Sequence, residues 1–130
     1  TGVDALAVSV GTVHGVYKVR QAKIDFERLQ AIRAVTDVPL VLHGGSGVPA
    51  DDIQRAIHLP GGGVTKINIA TDLENAFLAA LGREKRMLNA DVLAMPVEDV
   101  LPALDAVEQT VVDKITHFVQ SHDCVGKFGL

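Results

Sequence analysis

The sequence predicts an α/β fold with a parallel sheet. Three observations carry that expectation. Short apolar runs alternate with amphipathic segments in the order strand, helix, strand, helix, strand, helix, which calls for right-handed parallel crossovers. Each apolar run ends in polar residues suited to holding a ligand: His14 after the first, His43 to Ser46 after the second, Asn68 and Thr71 after the third. Chemistry at the carboxyl ends of parallel strands is shared by (β/α)8 barrels and open doubly wound sheets. The barrel is preferred, because three consecutive strands all place candidate ligands at that edge.

The first strand is expected over residues 4–10, an Ala/Leu/Val/Ser-rich stretch that reads as covered on both faces. Asp25 suits the cap of a helix carrying Phe26, Leu29, Ile32 and Val35 at helical spacing. Asp37-Val38-Pro39 turns the chain into a second buried strand, Leu40-Val41-Leu42. Pro49 is expected to open the next helix, with Asp51 and Asp52 in its first turn and Ile53, Ala56 and Ile57 as its apolar stripe. Pro60 to Gly63 breaks that helix and reads as a flexible turn with no chemical role.

Residues 64–70 form the third expected strand, with Ile67 and Ile69 facing a core and Lys66 and Asn68 facing a barrel rim or crevice. Polar side chains there cost free energy unless paired or holding a ligand. Lys66 reads equally well as a cation offsetting phosphate and as a satisfied interior lysine. Thr71 and Glu74 have capping-box spacing at the start of a helix running to about Leu81. Residues 82–95 are a poorly patterned connector with weak helical character. Pro102 suits the first turn of a final helix whose buried stripe would be Leu104, Val107, Val111, Ile115 and Phe118. The tail, residues 121–130, is expected to be frayed or loosely docked.

Composition narrows the function. The chain has 130 residues with formal net charge -4, 48% hydrophobic and 22% charged. That is enough for one domain with a core. With no basic block, a nucleic-acid partner is disfavoured. No apolar stretch is long enough to cross a bilayer, and a single cysteine, Cys124, excludes an internal disulfide. A cytoplasmic location is the expectation. The chain starts Thr1-Gly2-Val3-Asp4, with neither an initiator Met nor a signal-peptide pattern, and reads as the C-terminal portion of one larger domain.

His14 and His43 lie at equivalent strand ends, each beside glycine. Two imidazoles on neighbouring strands can share a zinc ion, though zinc needs three or four ligands; loop hydrogen bonding is the competing role. Gly44-Gly45-Ser46-Gly47 ahead of a helix is a plausible phosphate nest. Asn68 can orient a substrate hydroxyl, and Thr71 competes as an ordinary N-cap. His58 sits at a helix end, His117 and His122 lie in or after the last helix, and Cys124 has no evident base beside it, so none joins this set.

These residues resemble the class II, zinc-dependent ketose-bisphosphate aldolases, which include fructose- and tagatose-bisphosphate aldolases. The matching blocks are GTVHGVY at residues 11–17, IDFERL at 24–29, PLVLHGGSGVP at 39–49 and KINIATDL at 66–73. The resemblance weakens after about Gly82. It implies a (β/α)8 TIM barrel, of which residues 1–130 would supply the last three βα units and the terminal helices. It implies His14 and His43 as zinc ligands, and Gly15, Gly44, Gly45 and Ser46 as contacts to a dihydroxyacetone-phosphate moiety. Asn68, Ile69, Ala70 and Thr71 fall on the other substrate-contacting segment, with Asn68 close to the reacting carbons. Some members also bind a monovalent cation near these loops.

The family's third zinc ligand is an upstream histidine, preceded by an aspartate that handles a proton; neither has a counterpart here. The implied reaction is reversible aldol cleavage of a ketose 1,6-bisphosphate to dihydroxyacetone phosphate and glyceraldehyde 3-phosphate. The expected parent is a homo-oligomeric lyase of carbohydrate metabolism and glycolysis. The isolated segment is expected to be inactive, or to pair with a complementary N-terminal half-barrel. Two alternatives stand beside this: a related aldolase acting on another ketose phosphate, and an inactive half-barrel that binds phosphate or a partner.

Overall fold

The computed structural model describes residues 2–15, 23–124 and 126–127. Three strands, β1 (Leu6–Val8), β2 (Leu40–Leu42) and β3 (Val64–Ile67), form one parallel sheet in the order β1-β2-β3. Helices α1 (Phe26–Arg33) and α2 (Ala50–Ile57) are the crossovers. After β3 come α3 (Thr71–Ala80), a short α4 (Asn89–Leu93) and α5 (Val97–Asp113). The α/β class and the element order are as the sequence reads.

β2 is the central strand, and its three residues are all buried, as expected of a strand covered on both faces. β1 departs from that expectation. It is an edge strand with neighbours on one side only, so Leu6 and Ala7 remain open while Val8 and Val10 enter the core. Its pairing extends past the strand proper: the Leu6 amide donates to Pro39 O at 2.9 Å, and the Asp25 amide to Val10 O at 2.7 Å.

β3 is irregular. Its register against β2 slips between Leu40 and Val41, where Leu40 faces Val64 but Val41 faces Lys66. Thr65 is the extra residue, and its hydroxyl donates to Leu40 O at 3.2 Å. An undisturbed strand would send positions 64 and 67 to opposite faces. The bulge lets both Val64 and Ile67 pack on the core. Ile69 packs there too, as its alternation with Asn68 suggests.

The core joins Val8, Val10, Leu40, Leu42 and Val64 from the sheet region to Leu29, Ile53, Ala56 and Phe118 from the helical layer. Asp25 caps α1 as expected, its Oδ1 accepting from the Arg28 amide at 3.0 Å. Leu29 is fully buried, with Phe26 and Ile32 packed beside it. Val35 is exposed instead of buried, because α1 ends at Arg33. The Arg33 guanidinium then donates to Thr36 O at 3.0 Å and Val38 O at 2.8 Å, tying down the turn into β2. Pro49 is the N-cap of α2, one residue before its expected place in the helix. The glycine turn is not free throughout: Gly63 is buried, and a Cβ there would overlap the Ala56 and Ile57 carbonyl oxygens.

The residue 82–95 connector contains the short α4, in keeping with its weak helical character. The last helix corrects several expectations. α5 starts five residues earlier than Pro102, with Pro96 as N-cap and Glu98 and Asp99 in the first turn, so Pro102 is an interior proline. The expected stripe is only partly correct: Phe118 is buried, but Leu104, Val111 and Ile115 are exposed. The face that packs on α3 holds the small Ala103, because two helices approach most closely over small side chains. α5 passes into a π turn, Lys114–Phe118, where the Val119 amide donates to Lys114 O at 2.8 Å. That turn delivers Phe118 to the core and Lys114 to Asp72, 2.7 Å away. A 3-10 turn, His122–Cys124, follows, with no buried residue; Val125 and residues 128–130 lie outside the described residues. Among the described residues no helix is long and apolar enough to cross a membrane.

Candidate functional site

Parallel strands bring all three strand-end loops to one edge. A cleft of about 540 Å³ opens there, lined by His14, Gly15, His43, Gly44, Ser46, Ile67, Asn68, Ile69, Ala70 and Thr71. That volume suits a small ligand. Nine of the ten residues singled out from sequence line it. Val16 and Tyr17 of the first motif lie outside the described residues.

Direct bonds hold the loops together. The Thr12 hydroxyl donates to His43 O at 2.6 Å, pinning the first loop to the second. Gly44 has φ +68, and a Cβ there would collide with the Val13 backbone carbonyl. Any side chain at this position would therefore push the His14 loop away and strain its own backbone. Gly45 is the residue that does not line the cleft. Its amide donates to Asn68 O at 3.0 Å, and a Cβ would stand 2.6 Å from Ile67 Cγ2. Gly45 thus serves the approach of the second loop to the third, and its N–H is already committed within the protein.

Ser46 is the one buried polar side chain, 6% exposed, among the described residues. Its Oγ accepts from the Ala70 amide at 3.3 Å and the Asp72 amide at 3.2 Å. Ser46 therefore caps α3 from a distant loop. The structure corrects the expected role of Thr71: Ala70 is the N-cap, no local side chain caps the helix, and Thr71 is its first residue. Glu74 is not in a capping box but pairs with Arg86 at 2.9 Å. With two lone pairs occupied, the Ser46 hydroxyl still has its proton to donate. The acidic first turn of α3 is neutralised by Lys114 on Asp72 and Arg86 on Glu74, which limits repulsion of an anionic ligand.

His14 Nε2 lies 3.0 Å from His43 Nδ1, with the two rings nearly perpendicular at 88°. Two imidazole nitrogens each about 2.05 Å from zinc in a tetrahedral site stand roughly 3.3 Å apart. The observed pair is close to that span, so His14 and His43 fit two positions of a zinc site. Among the described residues no group of three or more His, Cys, Asp or Glu side chains could hold a metal. A zinc site at this pair would need a further ligand from outside the described residues. Asn68 Nδ2 lies 3.1 Å from Nδ1 and 2.9 Å from Nε2 of His43, bringing its carboxamide to the same imidazole.

The remaining candidates stay apart from this cleft. His58 is the C-cap residue of α2, with Nδ1 2.9 Å from Gln54 O. His117 pairs with Asp113 at 3.0 Å and His122 with Asp123 at 3.3 Å. Cys124 is free and partly exposed. Sequence reasoning missed two contributors. Thr12 had a signal, standing two residues before His14 on the same side of an extended segment. The capping of α3 by Ser46 had none, since it joins loops far apart in sequence.

The family described as fructose-bisphosphate aldolase class-II matches residues 1–127. Among solved structures, the YdjI aldolase from Escherichia coli K12 is similar at 32% identity and TM-score 0.68, over 94% of this chain and 41% of that one. A protein described as a fructose-1,6-biphosphate aldolase from Coccidioides immitis is similar at 26% identity and TM-score 0.72, over 95% of this chain and 40% of that one. The chain thus spans about two fifths of the length of each.

Proposed function

The chain belongs to the class-II fructose-bisphosphate aldolase family, and from that premise we propose that its cleft is part of the active site of a zinc-dependent ketose-bisphosphate aldolase. The reaction is reversible cleavage of a 1,6-bisphosphate of the fructose or tagatose configuration to dihydroxyacetone phosphate and glyceraldehyde 3-phosphate. The observation that carries this reading is the meeting of His14 Nε2 and His43 Nδ1 at 3.0 Å, on the rim of a cleft that also holds Ser46 and Asn68.

In this reading the three strands are the last βα units of a (β/α)8 barrel, and the rest of the site comes from the remaining strands. That fits a chain spanning about 40% of a matched structure. His14 and His43 hold the zinc with an upstream histidine, and an upstream aspartate moves the proton. Bound zinc supplies Lewis-acid polarisation of the ketone oxygen, so no Schiff-base lysine is needed. The Ser46 hydroxyl and the backbone around Gly15, Gly44 and Ala70 to Thr71 hold the phosphate end of the substrate. Fixing that end places the reacting carbons beside Asn68, within an effectively intramolecular geometry. The Asn68 carboxamide stabilises negative charge that develops as the carbon–carbon bond breaks. The 130-residue segment alone is expected to show negligible turnover, since its described residues offer two ligands where three are needed.

The test is cleavage of fructose 1,6-bisphosphate and tagatose 1,6-bisphosphate by the polypeptide that carries this segment, read as triose phosphate released. Chelation should abolish cleavage and zinc should restore it. Chelator-resistant cleavage, or substrate trapped covalently on a lysine by borohydride, would contradict the reading.

A further inference from the structure

Lys66 is exposed on β3 and does not line the cleft, yet its Nζ donates to Oδ1 of Asn68. We infer that Lys66 is a positioning residue: it fixes the Asn68 carboxamide with its oxygen toward the ammonium and its NH2 toward His43. The inference rests on the aldolase reading for its kinetic consequence, and on geometry alone for the orientation.

The orientation follows from donor and acceptor chemistry. An ammonium has three donors and no acceptor, whereas a carboxamide has one accepting end and one donating end. Only the oxygen end of Asn68 can face Lys66 favourably. The amide is planar, so its NH2 is then turned to the opposite side, where Nδ2 lies 2.9 Å from His43 Nε2 and 3.1 Å from Nδ1. A flipped amide would set NH2 against ammonium and oxygen toward the imidazole. Lys66 thus removes one of two orientations that the electron density of an amide seldom distinguishes.

The cation also polarises the carboxamide. A donor bonded to the amide oxygen makes its N–H groups stronger donors, because linked hydrogen bonds reinforce one another. An NH2 beside His43 and strengthened in this way is suited to developing negative charge. Lys66 does not itself line the cleft and reaches the site through Asn68.

The orientation is tested by NMR on the 15N-labelled polypeptide that carries this segment. The Asn68 side-chain NH2 pair, assigned by its loss in Asn68→Ala, should move upfield in 15N in Lys66→Met, as the amide oxygen loses its charged donor, while Lys66→Arg keeps the original position. An unmoved Asn68 NH2 pair in Lys66→Met would overturn the inference. The consequence is tested by a double-mutant cycle in the active polypeptide. Lys66→Met should lower kcat about tenfold with KM changed less than about twofold, and Lys66→Arg should recover most of the loss. Added to Asn68→Ala, Lys66→Met should cost nothing further; full additivity would overturn the inference. Absence of zinc-dependent cleavage in the unsubstituted polypeptide would instead remove the aldolase reading, and the NMR measurement would still decide the orientation of Asn68.

Discussion

Replacing Ser46 by Ala should destabilise the protein more than replacing Thr71 by Ala, although Thr71 stands where a local N-cap is expected. Ser46 Oγ accepts from the Ala70 and Asp72 amides at 3.3 and 3.2 Å, and Ser46 is only 6% exposed. Removing the oxygen leaves two amides of the α3 N-terminus without that partner, at a site where water enters poorly. Loss of a serine N-cap costs about 0.5–2 kcal/mol, and a buried amide left unsatisfied costs roughly 1–3 kcal/mol. The two figures describe overlapping losses, so about 2 kcal/mol is expected for Ser46→Ala. Thr71 makes no capping bond and has helical backbone. Thr71→Ala should therefore change stability by no more than about 0.5 kcal/mol, since alanine also has the higher helix propensity. Urea unfolding followed by far-ultraviolet circular dichroism, with slopes compared between variants, gives both values. A larger loss for Thr71→Ala than for Ser46→Ala would refute the assignment of the cap to Ser46.

Gly44→Ala combines a left-handed backbone, worth about 1–2 kcal/mol, with a collision against the Val13 carbonyl. It should lower stability by at least about 2 kcal/mol and weaken zinc binding, measured by unfolding and calorimetry. Thr12→Val removes the 2.6 Å bond to His43 O and should cost about 1 kcal/mol in the same unfolding assay. Pro102→Ala restores a donor inside α5, where Pro102 is exposed. It should raise stability by about 1–3 kcal/mol, and a destabilised variant would show that the proline shapes the helix. His43→Ala should remove stoichiometric zinc from the parent polypeptide, read by metal analysis; unchanged zinc would take His43 out of the site.

Local chemistry was legible where one segment decides it alone. The central strand Leu40–Leu42 is a short apolar run between a proline turn and a glycine loop, and Asp25 caps α1 through its own neighbour. The convergence of His14, His43 and Asn68 was also legible, because parallel strands put successive strand ends on one edge. What the sequence does not show depends on contacts between distant segments. The capping of α3 comes from the second loop, so the motif at Thr71 and Glu74 points to a bond that is not made. The bulge at Thr65 changes which residues reach the core without leaving a glycine or proline as a sign. On α5, which packs against α3, the small Ala103 is buried while Leu104, Val111 and Ile115 of the expected stripe stay exposed. The glycines of the second loop look alike in sequence, yet Gly44 admits the first loop and Gly45 the third.

The most direct measurement of the site is a zinc titration of the polypeptide that carries this segment, read by the ring 15N resonances of the segment's five histidines. The expected result is that His14 and His43 respond together, saturate at one zinc per chain, and leave His58, His117 and His122 unmoved. A response confined to one of the pair, or led by His117 or His122, would contradict a shared metal position at the strand ends.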